Sequence, residues 1–442
     1  MLSFGYLLIK WFCKRETLQS VSEKEGETSM KKKKILAAAV LLLLTTGIFL
    51  SWYLGGGFMR PVTGKISEED YRAGTKKLYR REEYVGWDRG TLAELPEPDI
   101  NMGFDVRNYD ISHFDLAKEA DLLAEATFDS ATRWPEKLPE GFDPAKVMEI
   151  GKNPGLGIRA LHEKGITGKG VSIAIVDQAL NPEHIEYADN LMNYELLHCC
   201  DSGAQMHGSA VTSIAVGKNC GVAPDADVYY IASTFGRYRV GGMKINLNYM
   251  ADSIDRILEI NTYQPEEKKI RVISISRGFS VERGADAVRA AIERAKGAGV
   301  FVITTSTEEN YGFSLMGLGK EELTADPDDI SSYLPGNFWS EFFYNGDMAD
   351  ASQMLLMPMD ARTYASWYTA DGYEFGASGG LSWSVPWLAG LYALCIQVDD
   401  DLTPELFIEK AFDTGTVRTI EYQGKSYEFG TIINPVALIE AL

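Results

Sequence analysis

The chain has 442 residues, 45% of them apolar, which is enough for one large domain with appendages. Its 63 acidic and 43 basic residues leave a net charge of −20. That balance excludes a nucleic-acid partner as the first expectation, because such binding wants a basic surface.

Lys31-Lys32-Lys33-Lys34 precede an apolar run from Ile35 to Leu54, about the length that spans a bilayer. The lysines predict a cytoplasmic N-terminal side, with the bulk of the chain outside. Residues 35–54 read either as a transmembrane anchor or as a cleaved signal segment. Thr45-Thr46-Gly47 offers small residues, yet the apolar run continues through Ile48 to Leu54 without a small-x-small cleavage site. Trp52 and Tyr53 suit a membrane interface. A single-pass cell-membrane protein is therefore expected, with secretion as the alternative. Residues 1–34 are then a cytoplasmic tail, or a mis-assigned start before Met30.

Gly55-Gly56-Gly57 reads as a hinge. It opens a polar, acidic stretch over 55–145, either a propeptide-like extension or a permanent arm. Helical periodicity runs from Asp115 to Ala126, and prolines punctuate Trp134 to Phe142. The main domain is expected over 146–442. Within it, Val171-Ser172-Ile173-Ala174-Ile175-Val176 is the near-continuous apolar run of a strand buried on both faces, and it stops at Asp177. Polar residues at that end of such a strand fall at the ligand-binding edge of an open α/β sheet. His207-Gly208-Ser209-Ala210-Val211 opens a small-residue helix, and Gly221 to Ile231 reads as a turn into another strand. Of the five cysteines, Cys199, Cys200 and Cys220 are candidates for pairing outside the cell, while Cys395 reads as core.

The strand Gly299 to Ile303 precedes Glu308 and Asn310. Downstream, Gly380-Leu381-Ser382-Trp383-Ser384-Val385-Pro386 leads into an apolar helix. Ser382 would sit at that helix's start, where free N–H groups favour an anion. A serine hydroxyl is a weak nucleophile until a histidine removes its proton, and the imidazole needs an orienting carboxylate. Singly, Asp177, His207 and Ser382 are each explained as a turn residue, a helix-start residue and a cap. Together, in the order Asp, His, Ser, they form the constellation that nucleophilic catalysis requires.

These segments resemble the subtilisin-like serine peptidases. Ile175-Val176-Asp177, His207 to Val211 and Gly380 to Pro386 match that family's three motifs, and Val272 to Gly278 is similar to the strand flanking its primary specificity pocket. The resemblance covers about Gly151 to the C-terminus. It implies an α/β fold: a mainly parallel sheet with helices on both faces, carrying the triad along its carboxyl edge. It implies a serine endopeptidase acting on protein or peptide substrates, extracytoplasmic by the N-terminal lysines, with Asp177 orienting His207, His207 as the base and Ser382 as the nucleophile. The family's oxyanion donor is an asparagine after the apolar strand. An ungapped register puts Glu308 there, and a two-residue insertion puts Asn310 there, the expected donor. Other departures are Gln178-Ala179 after the aspartate and Leu381 before the serine. The resemblance requires no cofactor for the chemistry and allows structural calcium at the acids of Asp326-Pro327-Asp328-Asp329. The alternative is a catalytically inactive domain that binds a peptide in the same cleft.

Overall fold

The computed structural model describes residues 61–79, 87–99, 102–201, 203–239, 242–346 and 350–442. The expected anchor at 35–54 and the tail before it lie outside them. In chain order the first strands are β1 (Val62–Gly64), β2 (Lys77–Leu78), β3 (Phe104–Asp105) and β4 (Ala126–Asp129). The apolar run ending at Asp177 forms β5 (Ser172–Asp177), with all six residues buried. Then come β6 (Leu191–Cys199), helix α1 (Met206–Val216), β7 (Asp227–Ala232), the hairpin β8 (Gly236–Arg239) and β9 (Gly242–Ile245), and helix α2 (Asn248–Asn261). β10 (Ile270–Ser274), α3 (Ala285–Gly297), β11 (Phe301–Ile303) and the one-turn α4 (Thr307–Tyr311) follow.

Seven of these strands make one sheet in the order β1-β6-β7-β5-β10-β11, with β2 also beside β6. All its pairs are parallel except β1 against β6. Alternation along β5 explains why its sequence is apolar throughout. Ile173 and Ile175 point into a core shared with Val211 and Ile214 of α1. Ala174 and Val176 point into a second core with Ile254 and Ile257 of α2 and Val288 and Ile292 of α3. A sheet covered on both faces by helices has no polar face to offer.

The chain adds two further sheets that the sequence did not reveal. β12 (Ser314–Lys320), β13 (Tyr333–Pro335) and β14 (Met354–Pro358) join β17 (Thr416–Tyr422) and β18 (Lys425–Ile432), in the order β13-β12-β14-β18-β17. The other sheet has the order β15-β16-β4-β3, where β15 (Arg362–Ala365) and β16 (Tyr373–Gly376) lie just before the serine motif. Strands β3 and β4 come from the acidic extension. β4 pairs antiparallel with β16, placing Asp129 opposite Glu374. Phe104, Val106 and Phe128 share a core with Ala361, Phe375 and Ala377. Met59–Leu442 is one compact unit, so β3 and β4 of the extension pack together with the rest.

Helix α5 (Leu381–Val398) carries Ser382 at its second position. It is apolar and long enough to cross a membrane by composition, but 78% of it is buried inside the domain, which accounts for that composition. Cys395 lies within it as a buried thiol, and Cys220 is a buried thiol whose Sγ–H donates to Glu186 at 3.3 Å. Cys220 is thus not disulfide-bonded.

Candidate active site

Asp177 ends β5, and its carboxylate accepts the Nδ1–H of His207 at 2.7 Å and the Gln178 amide at 2.7 Å. Its carbonyl takes the Ser233 amide at 2.7 Å, which ties the end of β5 to the end of β7. His207 is the second residue of α1. That helix start is docked on the Asp177 turn, because the Gln205 amide donates to the Ala179 carbonyl at 2.6 Å. Gly208 permits the approach: a Cβ there would run into the Gln178 carbonyl and the Tyr230 hydroxyl. The Tyr230 hydroxyl itself donates to that carbonyl.

With Nδ1–H committed to Asp177, the neutral imidazole presents Nε2 as its acceptor. Burial pulls the His207 pKa down, and the charge and hydrogen bond of Asp177 outweigh it, leaving the imidazole above its ordinary value. One side of the ring faces Trp383, whose ring centroid is 5.3 Å away. Trp383 is held in turn by Tyr364 at 5.2 Å.

Ser382 is fixed through its backbone. Pro386 has no N–H to give the Ser382 carbonyl four residues back. That carbonyl instead accepts the Ser276 hydroxyl at 2.8 Å. Ser382 Oγ in turn donates to the Ser276 carbonyl at 3.3 Å. The structure thus joins Asp177 to His207 but leaves the Ser382 hydroxyl on Ser276, without a hydrogen bond to His207. The Ser382 amide lies in the first turn of α5, where amides have no helical partner.

Asn310 is not joined to Ser382 or His207 by a hydrogen bond. Its Nδ2 donates to the Ser306 carbonyl at 3.2 Å, inside its own turn of α4, and its carbonyl receives Lys296 Nζ at 2.5 Å. Glu308 is exposed and accepts the Ser314 hydroxyl at 3.4 Å. The acids of the Asp326–Asp329 segment are engaged locally. Asp328 accepts the Gly157 amide and Asn153, while Asp329 caps Ser331. Among the described residues, no three His, Cys, Asp or Glu side chains converge as a metal site.

One site residue escaped the sequence reading. Asp360, 4% exposed, accepts the Gly379 amide at 2.6 Å and the Asn337 amide at 2.8 Å. Asn337 Nδ2 donates to Ser378 Oγ at 2.7 Å. Together they clamp the turn that leads to Ser382. Burial pushes the Asp360 carboxyl up to about 7, against the pull of the two amides. Its one sequence signal is an acid set directly against the apolar strand β14.

A profile described as the subtilase family (peptidase S8) matches residues 168–430, more than half of the chain. The chain belongs to the subtilase family. This is a family of serine peptidases, and the matched span contains Asp177, His207 and Ser382. The subtilisin-like protease PopC of Myxococcus xanthus (strain DK1622) is 24% identical over 135 residues, covering 28% of this subtilase and 28% of PopC. This chain therefore matches well under two thirds of that relative's length. Among solved structures, the prenylagaramide maturation protease PagA is 16% identical with a TM-score of 0.46, covering 65% of this chain and 98% of that one.

Proposed function

We propose that this subtilase is a serine endopeptidase, held in the cell membrane by residues 35–54 with its peptidase domain outside the cytoplasm. The observation that carries the chemistry is the 2.7 Å bond between Asp177 and His207, with Ser382 at a helix start beside the same imidazole's tryptophan wall. His207 takes the proton of Ser382 Oγ as the hydroxyl leaves the Ser276 carbonyl and turns to Nε2. The alkoxide attacks the substrate carbonyl, and His207 returns the proton to the leaving amine. Water then attacks the acyl-enzyme by the same route. The Ser382 amide and the start of α5 stabilise the oxyanion. Asn310 is the second donor, once its amide leaves the Ser306 carbonyl. The test is hydrolysis of a denatured protein substrate by the wild type and by Ser382→Ala. Cleavage that disappears in the variant supports the reading, and equal cleavage overturns it.

A second reading is a catalytically silent domain that binds a peptide in this cleft. The hydroxyl of Ser382 resting on Ser276, and the amide of Asn310 resting on Ser306, favour it. It predicts peptide binding without cleavage by either protein.

A further inference from the structure

The chain carries 20 more acidic than basic residues, yet the residue that follows the Ser382 contact Ser276 is an arginine. The hydrogen bonds between Ser276 and Ser382 place Arg277 one residue from the nucleophile contact. The segment is fixed from its other side: the Thr305 amide donates to the Arg277 carbonyl at 3.4 Å, and the Phe279 amide to Ser306 Oγ at 2.9 Å. The Arg277 side chain is half-buried, its Nε is buried without a hydrogen-bond partner, and it has no ion pair among the described residues. Glu282 lies within its electrostatic reach, but that carboxylate accepts the Ser280 amide at 2.8 Å.

Two neighbouring elements carry further cations, the first beside Glu282. The loop after Arg277 carries exposed Arg283, whose carbonyl accepts the Leu247 amide at 2.9 Å, so the loop is bonded to the segment leaving the β8–β9 hairpin. That hairpin follows β7, whose Ala232 pairs with Asp177. It sets Arg237 directly opposite Lys244, both exposed. Like charges facing across a strand pair are destabilising. Among the described residues Arg237 is held by the Tyr249 hydroxyl and ring. None of Arg237, Lys244, Arg277 and Arg283 has an acidic side chain bonded to it among the described residues. The next arginines outward differ: Arg289 is matched by Glu309 and Asp286, and Arg294 by Asp255. Asp252, on α2, is bonded to His198 at 2.8 Å.

A partly desolvated guanidinium whose Nε has no hydrogen-bond partner is costly unless a ligand supplies one. We infer that Arg277, flanked by Arg237, Lys244 and Arg283, receives carboxylate side chains of the substrate, so that this site selects acidic peptides. The inference names the substrate class of the site under Proposed function and rests on that reading.

Its test does not need turnover. Two degenerate fluorescent peptide pools are made, identical except that one carries Glu where the other carries Gln. Binding to the full-length Ser382→Ala protein is read by anisotropy. The Glu pool is expected to bind about 10-fold tighter or more, as a charge-assisted contact gives, with the advantage shrinking as salt rises. Arg277→Gln is expected to remove most of the advantage and Arg277→Lys to retain part of it. If Arg277→Gln fails to fold, the exposed pair Arg237→Gln and Lys244→Gln is expected to reduce it. Equal binding of the two pools, or an advantage untouched by these variants, overturns the inference. A silent catalytic centre would show instead as absent hydrolysis by the wild type, with the binding difference intact.

Discussion

In the proposed reaction, Asp177 and His207 supply charge and Asp360 supplies position for Ser382. His207 can accept a proton only while neutral, and Asp177 holds its pKa above the ordinary value. Turnover should therefore fall on acidification with an apparent pKa above about 6.5. Asp177→Asn should move that limb to lower pH and cut turnover by roughly 10,000-fold. A pH–rate profile of both proteins reads this, and an unmoved limb would show that another group titrates. Asp360 acts one step back, through the Gly379 amide. Asp360→Ala should lower kcat by about 10- to 100-fold, since small misplacements of a nucleophile are costly, while KM changes little. Steady-state kinetics with unchanged kcat would mean that the turn holds itself.

The elements behave as the local sequence dictates where the signal is local. The apolar β-branched run ending in Asp177 became a fully buried strand because helices cover both faces of its sheet. His207 opened a helix whose small residues allow close docking, and Ser382 opened the apolar helix α5. What stayed illegible depends on contacts between distant segments. Asp360 meets Gly379 and Asn337 through tertiary packing, and no spacing marks that. The pairing of β4 with β16 spans more than 240 residues, so the stretch around 126–129 looked like a separate acidic region when its strand is a partner of the serine-motif approach. Asn310 suits the oxyanion role by residue type, and its amide rests on the Ser306 carbonyl, a contact that no spacing marks.

The same long-range logic fixes the segment that follows the expected anchor. Arg256 bonds Glu195 at 2.6 Å and the Ile66 carbonyl at 2.8 Å, and Glu195 also accepts the Ile66 amide at 2.8 Å. Both side chains of the ion pair are nearly fully buried. Arg256→Ala leaves a buried carboxylate unpaired and should cost about 3–5 kcal/mol. A lowered midpoint in thermal unfolding checks it, and an unchanged midpoint would mean that Glu195 finds another partner.

Across the whole chain, the proposed membrane segment at 35–54 precedes the residues whose strands pair into the described domain. The full-length protein should sediment with membranes and come off with detergent but not with high salt. Native protein recovered from the medium without residues 30–54 would show a cleaved signal instead. Reaction with a fluorophosphonate tests whether Ser382 is an activated nucleophile. At neutral pH the folded protein should gain one adduct, located by peptide mass spectrometry on Ser382, and Ser382→Ala and His207→Ala should gain none. A folded wild type that stays unlabelled, or an adduct that persists in Ser382→Ala, would contradict the account.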